Sequence, residues 1–109
     1  MTEDLTPDQR EALTILQEEA AELIQAVSKI KRHGPDSCHP DGGNDGLTNE
    51  EHACKEMAQL VAMMAICHAT GLFDIGHGAS LSHRWMVDKI ADLRRYSTLS
   101  PAVLDAVEL

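Results

Sequence analysis

The chain predicts an all-α fold, and three observations carry that prediction. Hydrophobic residues make up 43% of it, yet the only aromatics are Trp85, Tyr96 and Phe73. The apolar content is therefore Ala, Leu, Ile, Val and Met, which suits helices better than sandwiches. Two long segments carry apolar residues at helical spacing, and each opens on a Thr-x-x-Gln or Thr-x-x-Glu capping box. The expected architecture is a helical hairpin followed by C-terminal helices, in one domain over residues 1–109. Such a chain has a thin core for a monomer, so an oligomer that shares its core is expected.

The first helix is punctuated at both ends. In "TPDQ", Thr6 is the N-cap, Pro7 the first helical residue and Gln9 the closure of the box. "HGP" ends the helix, with Gly34 as C-cap and Pro35 barring continuation, so it spans about residues 7–33. "PDSCHPDGGNDGL", residues 35–47, has almost no apolar content and reads as a flexible loop. Asp41, Asn44 and Asp45 lack the spacing and closing Glu of a calcium loop. Cys38 and His39 offer half a zinc site, without a second pair at suitable spacing. Thr48 caps the second helix, Glu51 completes its box and Gly71 closes it, for a span of about 49–70. After the linker "LFDIGHGAS" a third helix starts near Ser80 or Ser82 and runs to about Ser97. A last short helix begins at Ser100 and Pro101.

Charge and cysteine usage bound the function. The formal net charge is −9, which argues against nucleic acid as a partner, because a sequence-independent grip on its backbone needs a basic face. It suits cations, or anions bridged by cations. Cys38, Cys54 and Cys67 are odd in number and show no CxxC spacing; their reading is small core or surface residues. With no signal-peptide pattern and no transmembrane run, these features predict a reduced, cytoplasmic setting without a membrane partner.

The carboxylates of "LQEEAAELIQAVSKIKRHG" raise the functional question. At about 100° per residue, with Glu22 as zero, Leu16, Leu23, Val27 and Ile30 form a core stripe between roughly 80° and 140°. Glu19 falls near 60°, at the edge of the stripe, Glu18 near −40° and Lys29 near −20°, about 10 Å further along the axis. On the second helix, Met57, Leu60, Met63, Met64 and Cys67 form a stripe that contains Glu56. Gln59 and His52 lie on its near edge. A carboxylate on a core face has to be paired, neutralised or metal-bound. Lys29, Lys31 or Arg32 could pair with Glu56, and these cations also complement the dipole of the first helix. Carboxylates brought together from two helices are alternatively tolerable around a divalent cation, and all-oxygen ligation suits Mg²⁺.

"EEAAEL", followed after a loop by "EMAQ" on a second helix, resembles the MazG-like all-α nucleoside triphosphate pyrophosphohydrolases, over about residues 13–72. The first helix looks especially like that of the small single-domain members. The resemblance implies a homodimer or homotetramer whose helices form a four-helix bundle, and Mg²⁺ (with Mn²⁺ as substitute) held by an ExxE pair and an ExxD pair. It implies cleavage of a nucleoside triphosphate to the monophosphate and pyrophosphate. By motif, Glu19 and Glu22 match the first metal pair, Glu18 the extra acid before it, and Glu56 the first acid of the second pair. Gln59 stands where the family has Asp, and it offers a carbonyl oxygen without charge. That departure supports a second reading, a weak or inactive relative serving as a nucleotide-binding or dimerisation module. Under the enzymatic reading Glu18 or Glu19 handles the attacking water, Glu19, Glu22, Glu56 and Gln59 hold the metal, and Lys29 and Arg32 contact phosphate oxygens.

Of the remaining residues, Met57, Met63 and Met64 read as core, and Trp85 as a subunit contact with the covering of a nucleobase as its alternative. Arg84 with Asp88, and Asp92 with Arg95, read as surface pairs.

Overall fold

The computed structural model describes residues 4–73 and 79–109. It is all-helical, with helices α1 (Pro7–His33), α2 (Asn49–Ala69), α3 (Ala79–Tyr96) and α4 (Pro101–Asp105). The chain divides into two compact units, Met1–Phe73 and Asp74–Leu109. Most of the expected linker between α2 and α3 lies outside the described residues. No helix among the described residues is long and apolar enough to cross a membrane.

Both capping boxes form. The Gln9 backbone N–H donates to Thr6 Oγ1 at 3.1 Å, and the Thr6 N–H donates back to Gln9 Oε1 at 3.0 Å. In α2 the Glu51 N–H donates to Thr48 Oγ1 at 3.1 Å and the Thr48 N–H to Glu51 Oε1 at 3.0 Å. The second of these bonds, then the Thr48 side chain, hold the Glu51 carboxyl below its usual range. Gly34 ends α1 at φ 87°, where its N–H reaches Ile30 O. A side chain would be strained there.

The first unit is the α1–α2 hairpin. Its seam is made of small residues: Ala12, Ala26, Ala53 and Cys67 are buried, together with Met63. Leu13, Ile15, Leu16 and Leu72 pack partly buried around Ala12, Met63 and Cys67. Gln9 Nε2 donates to Thr70 O at 2.9 Å, tying the start of α1 to the end of α2. The contact line on α1 thus runs through Ala12 and Ala26, at about 40–80° on the wheel, rather than through Leu23 and Val27. Val27 is exposed. Alanines let the helix backbones approach, and this rotation carries Glu19 into the seam. On α2 the line runs Asn49, Ala53, Glu56, Met63, Cys67, while Met57 and Met64, read as core, are exposed.

Overpacking the seam tests this account. Ala53→Leu places a branched side chain where 1% of the residue is exposed. It should cost about 1–3 kcal/mol, read as a lower denaturant midpoint at unchanged helical signal.

Residues 35–47 carry structure of their own. Asn44–Gly46 form a 3₁₀ turn, and Cys38 bridges to Thr48. The first N–H groups of α2 are taken by this segment: Asn49 N–H donates to Ser37 O at 2.8 Å and Glu50 N–H to Pro35 O at 3.0 Å. The buried Asn49 side chain donates to Gly34 O at 3.1 Å.

The second unit holds α3 and α4. Ser100 caps α4, accepting from the Val103 N–H at 3.3 Å, and Leu104 is buried. The two expected pairs along α3 do not form; Arg94 Nη2 instead reaches Asp105 Oδ1 at 2.6 Å. Trp85 is 64% exposed.

Candidate functional site

The hairpin seam brings Glu19, Glu22 and Glu56 together. One carboxylate oxygen from each lies within 4.8 Å of the others, and among the described residues this is the cluster of side chains that could hold a metal ion. Cys38 and His39 acquire no such partners. Glu56 is 6% exposed, Glu19 half-buried and Glu22 exposed, so the cluster opens from the seam toward solvent on the α1 side.

Glu56 has polar partners, and none is a lysine or arginine. His52 Nε2, one turn earlier, lies 3.1 Å from Glu56 Oε1. This leaves His52 Nδ1 buried without a partner. Gln59 faces the carboxylates with its amide nitrogen, because acceptor-only oxygens require a donor opposite them. In that orientation it donates to Glu56 Oε2 at 3.1 Å and to Glu19 Oε2 at 3.3 Å. Gln59 therefore bridges the two helices across the acidic cluster.

The crowding shows in Glu22. Its carboxyl is held above its ordinary value of 4.5, first by a hydrogen bond to Glu56, then by the charges of Glu19 and Glu56, and least by Glu18. Glu18 thus adds its charge to the surroundings of Glu22 without contributing to the three-oxygen core. A proton held in the folded state makes stability fall as pH rises through the raised value, because the unfolded chain has already released it. A divalent cation displaces that proton and removes the loss. The gain in Tm on adding Mg²⁺ should therefore be larger at about pH 7.5 than at about pH 4.5, measured by thermal unfolding in parallel buffers.

The residues fit a hard divalent ion. The donors are all oxygen, and their separations are held within 4.8 Å, a limit wider than the roughly 4.1 Å across an octahedral Mg²⁺, so the side chains would close inward on the ion. Gln59 would add its carbonyl oxygen by turning the amide over.

Lys29 and Arg32 are not part of the cluster. They line a separate cavity of about 370 Å³ with His33, Ser37, Cys38, His39, Pro40, Asn44 and Asn49. Lys29 follows Glu22 by seven residues, about 10 Å along the helix. Loop residues that periodicity could not assign make half of this cavity. A signal for it did exist in the His39–Pro40 and Gly42–Gly43–Asn44 turn chemistry, although nothing local said which helix face the loop would cover.

Comparison of the chain with known protein families, with curated proteins and with solved structures finds no match.

Proposed function

We propose that the protein is a Mg²⁺-dependent nucleoside triphosphate pyrophosphohydrolase of the MazG-like type, yielding the monophosphate and pyrophosphate. The observation that carries this reading is the convergence of Glu19, Glu22 and Glu56 from two helices onto one oxygen cluster. The motif resemblance pairs the same three residues. Glu19, Glu22 and Glu56 hold the metal, with Gln59 as a neutral fourth ligand. When bound, the ion neutralises the triphosphate and acidifies a water molecule. Glu18, exposed beside the cluster, orients and deprotonates the water for attack on phosphorus, with Glu19 as the other candidate base. His52 fixes the Glu56 carboxylate through the 3.1 Å contact. Lys29 and Arg32 draw the phosphate chain toward the end of α1.

A homodimer or homotetramer is part of the proposal. Ile24 and Val61 are 67% and 63% exposed, and Val27, Met57 and Met64 are exposed as well. Apolar side chains of that size call for a cover, and a second copy completing a four-helix bundle supplies one. A second functional reading rests on Gln59: a neutral donor across the cluster suits a nucleotide-binding module with little turnover.

Purified protein incubated with Mg²⁺ and a panel of NTPs and dNTPs should release pyrophosphate and the matching monophosphate. Metal-dependent nucleotide binding without product would favour the module, and neither binding nor product would refute both readings.

A further inference from the structure

The cavity at the far end of the hairpin is chemically unlike the rest of the chain. Four of its nine lining residues are Lys29, Arg32, His33 and His39, and none is acidic. The whole chain, by contrast, has 18 acidic residues against 9 lysines and arginines. The carboxylates of the covering loop, Asp36, Asp41 and Asp45, stay out of the lining, and Asp45 lies 3.7 Å from Lys55. Among the described residues neither Lys29 nor Arg32 forms an ion pair. His39 is held in place. Its Nδ1 accepts the Asp41 backbone N–H at 3.3 Å, which leaves the proton on Nε2 as a donor. Its ring packs so close to Gly43 that an added Cβ would stand 3.1 Å from ring atoms. The N-terminus of α2 is not the attraction, because its first N–H groups are bonded to Ser37 O and Pro35 O.

We infer that this cavity is an anion subsite, formed by Lys29, Arg32, His33 and His39, that takes a pyrophosphate or terminal-phosphate group without needing a metal ion. Its volume of about 370 Å³ falls at the lower end of the range for small-ligand pockets. Two fixed positive charges and imidazole donors match phosphate oxygens. Ala26 and Ala53, 0% and 1% exposed, lie between the cavity and the carboxylate cluster along the seam, so the two sites are discrete. The identity of the anion as a leaving pyrophosphate rests on the hydrolase reading, whereas the existence of the subsite does not.

The test is calorimetric titration of pyrophosphate into the full chain in EDTA, with no turnover possible. Saturable binding is expected, weakened at least about tenfold in Arg32→Ala and in Lys29→Ala (about 1.4 kcal/mol) and unchanged in Glu56→Gln. Gly43→Ala, at φ −61°, displaces the His39 ring without straining the backbone and should also weaken binding. No binding in EDTA, binding indifferent to Arg32 and Lys29, or binding lost in Glu56→Gln would each overturn the subsite. The hydrolase reading fails separately, if Mg²⁺ and triphosphates give no product while pyrophosphate still binds.

Discussion

Glu56→Gln should abolish metal-dependent pyrophosphate release while leaving the hairpin folded. Glu56 is the buried member of the cluster, touched by His52 and Gln59 and close to the Glu19 and Glu22 carboxylates. Gln keeps its shape and removes its charge. Changes to the outer partners of metal ligands typically cost about 10–100-fold, so loss of a ligand's charge should exceed about 100-fold in turnover. Without metal the variant should melt no lower than the parent, because one of three crowded carboxylates is gone. With Mg²⁺ at about 100 times its Kd, the parent gains about 2.7 kcal/mol, on the order of 10 °C in Tm, and the variant should gain almost none. A full Mg²⁺ shift in Glu56→Gln would remove the cation from the cluster.

Gln59→Asp should act in opposite directions with and without metal. Without metal it deletes the two hydrogen bonds that hold Glu56 and Glu19 together, at 3.1 and 3.3 Å, and adds a fourth negative charge. The loss of at least about 1 kcal/mol should lower Tm by about 4–8 °C in EDTA. With Mg²⁺ a charged ligand replaces a neutral one. Affinity should tighten at least about tenfold, near 1.4 kcal/mol, by isothermal titration. A large accompanying rise in turnover marks the parent as a weakened site, and a small rise in an active parent marks a working enzyme that tolerates Gln59. Unchanged Mg²⁺ affinity would show that position 59 does not face the ion.

The two predictions depend on different kinds of legibility. Glu56 could be singled out from sequence because a carboxylate stood in an apolar stripe of α2, an arrangement that needs a local explanation. Its observed partner, His52, sits one turn away on the same helix, within reach of the same reasoning. The role of Gln59 was not legible. A glutamine can present oxygen or nitrogen, and only the two acceptor carboxylates facing it decide that it donates.

Helix ends belong to the sequence, because capping is a matter of three or four neighbouring residues. Thr6 with Gln9 and Thr48 with Glu51 start α1 and α2 as their spacing required, and the observed ends, His33 and Ala69, fall within a residue of those expected. The all-helical class follows from the same local chemistry. Which face of each helix meets the other was left to tertiary packing. The larger apolar residues suggested one line, but the alanines at 12, 26 and 53 allow closer approach and took the seam, turning Glu19 inward and Met57 and Met64 outward. The turns under residues 37–44 were written in the chain, but the face they cover was not, since a loop's destination depends on distant carbonyls such as those of Gly34, Pro35 and Ser37 meeting the first turn of α2. Short-range hydrogen bonding can be read along one strand of text; the mutual approach of two helices is a contest between surfaces, decided only when both are folded.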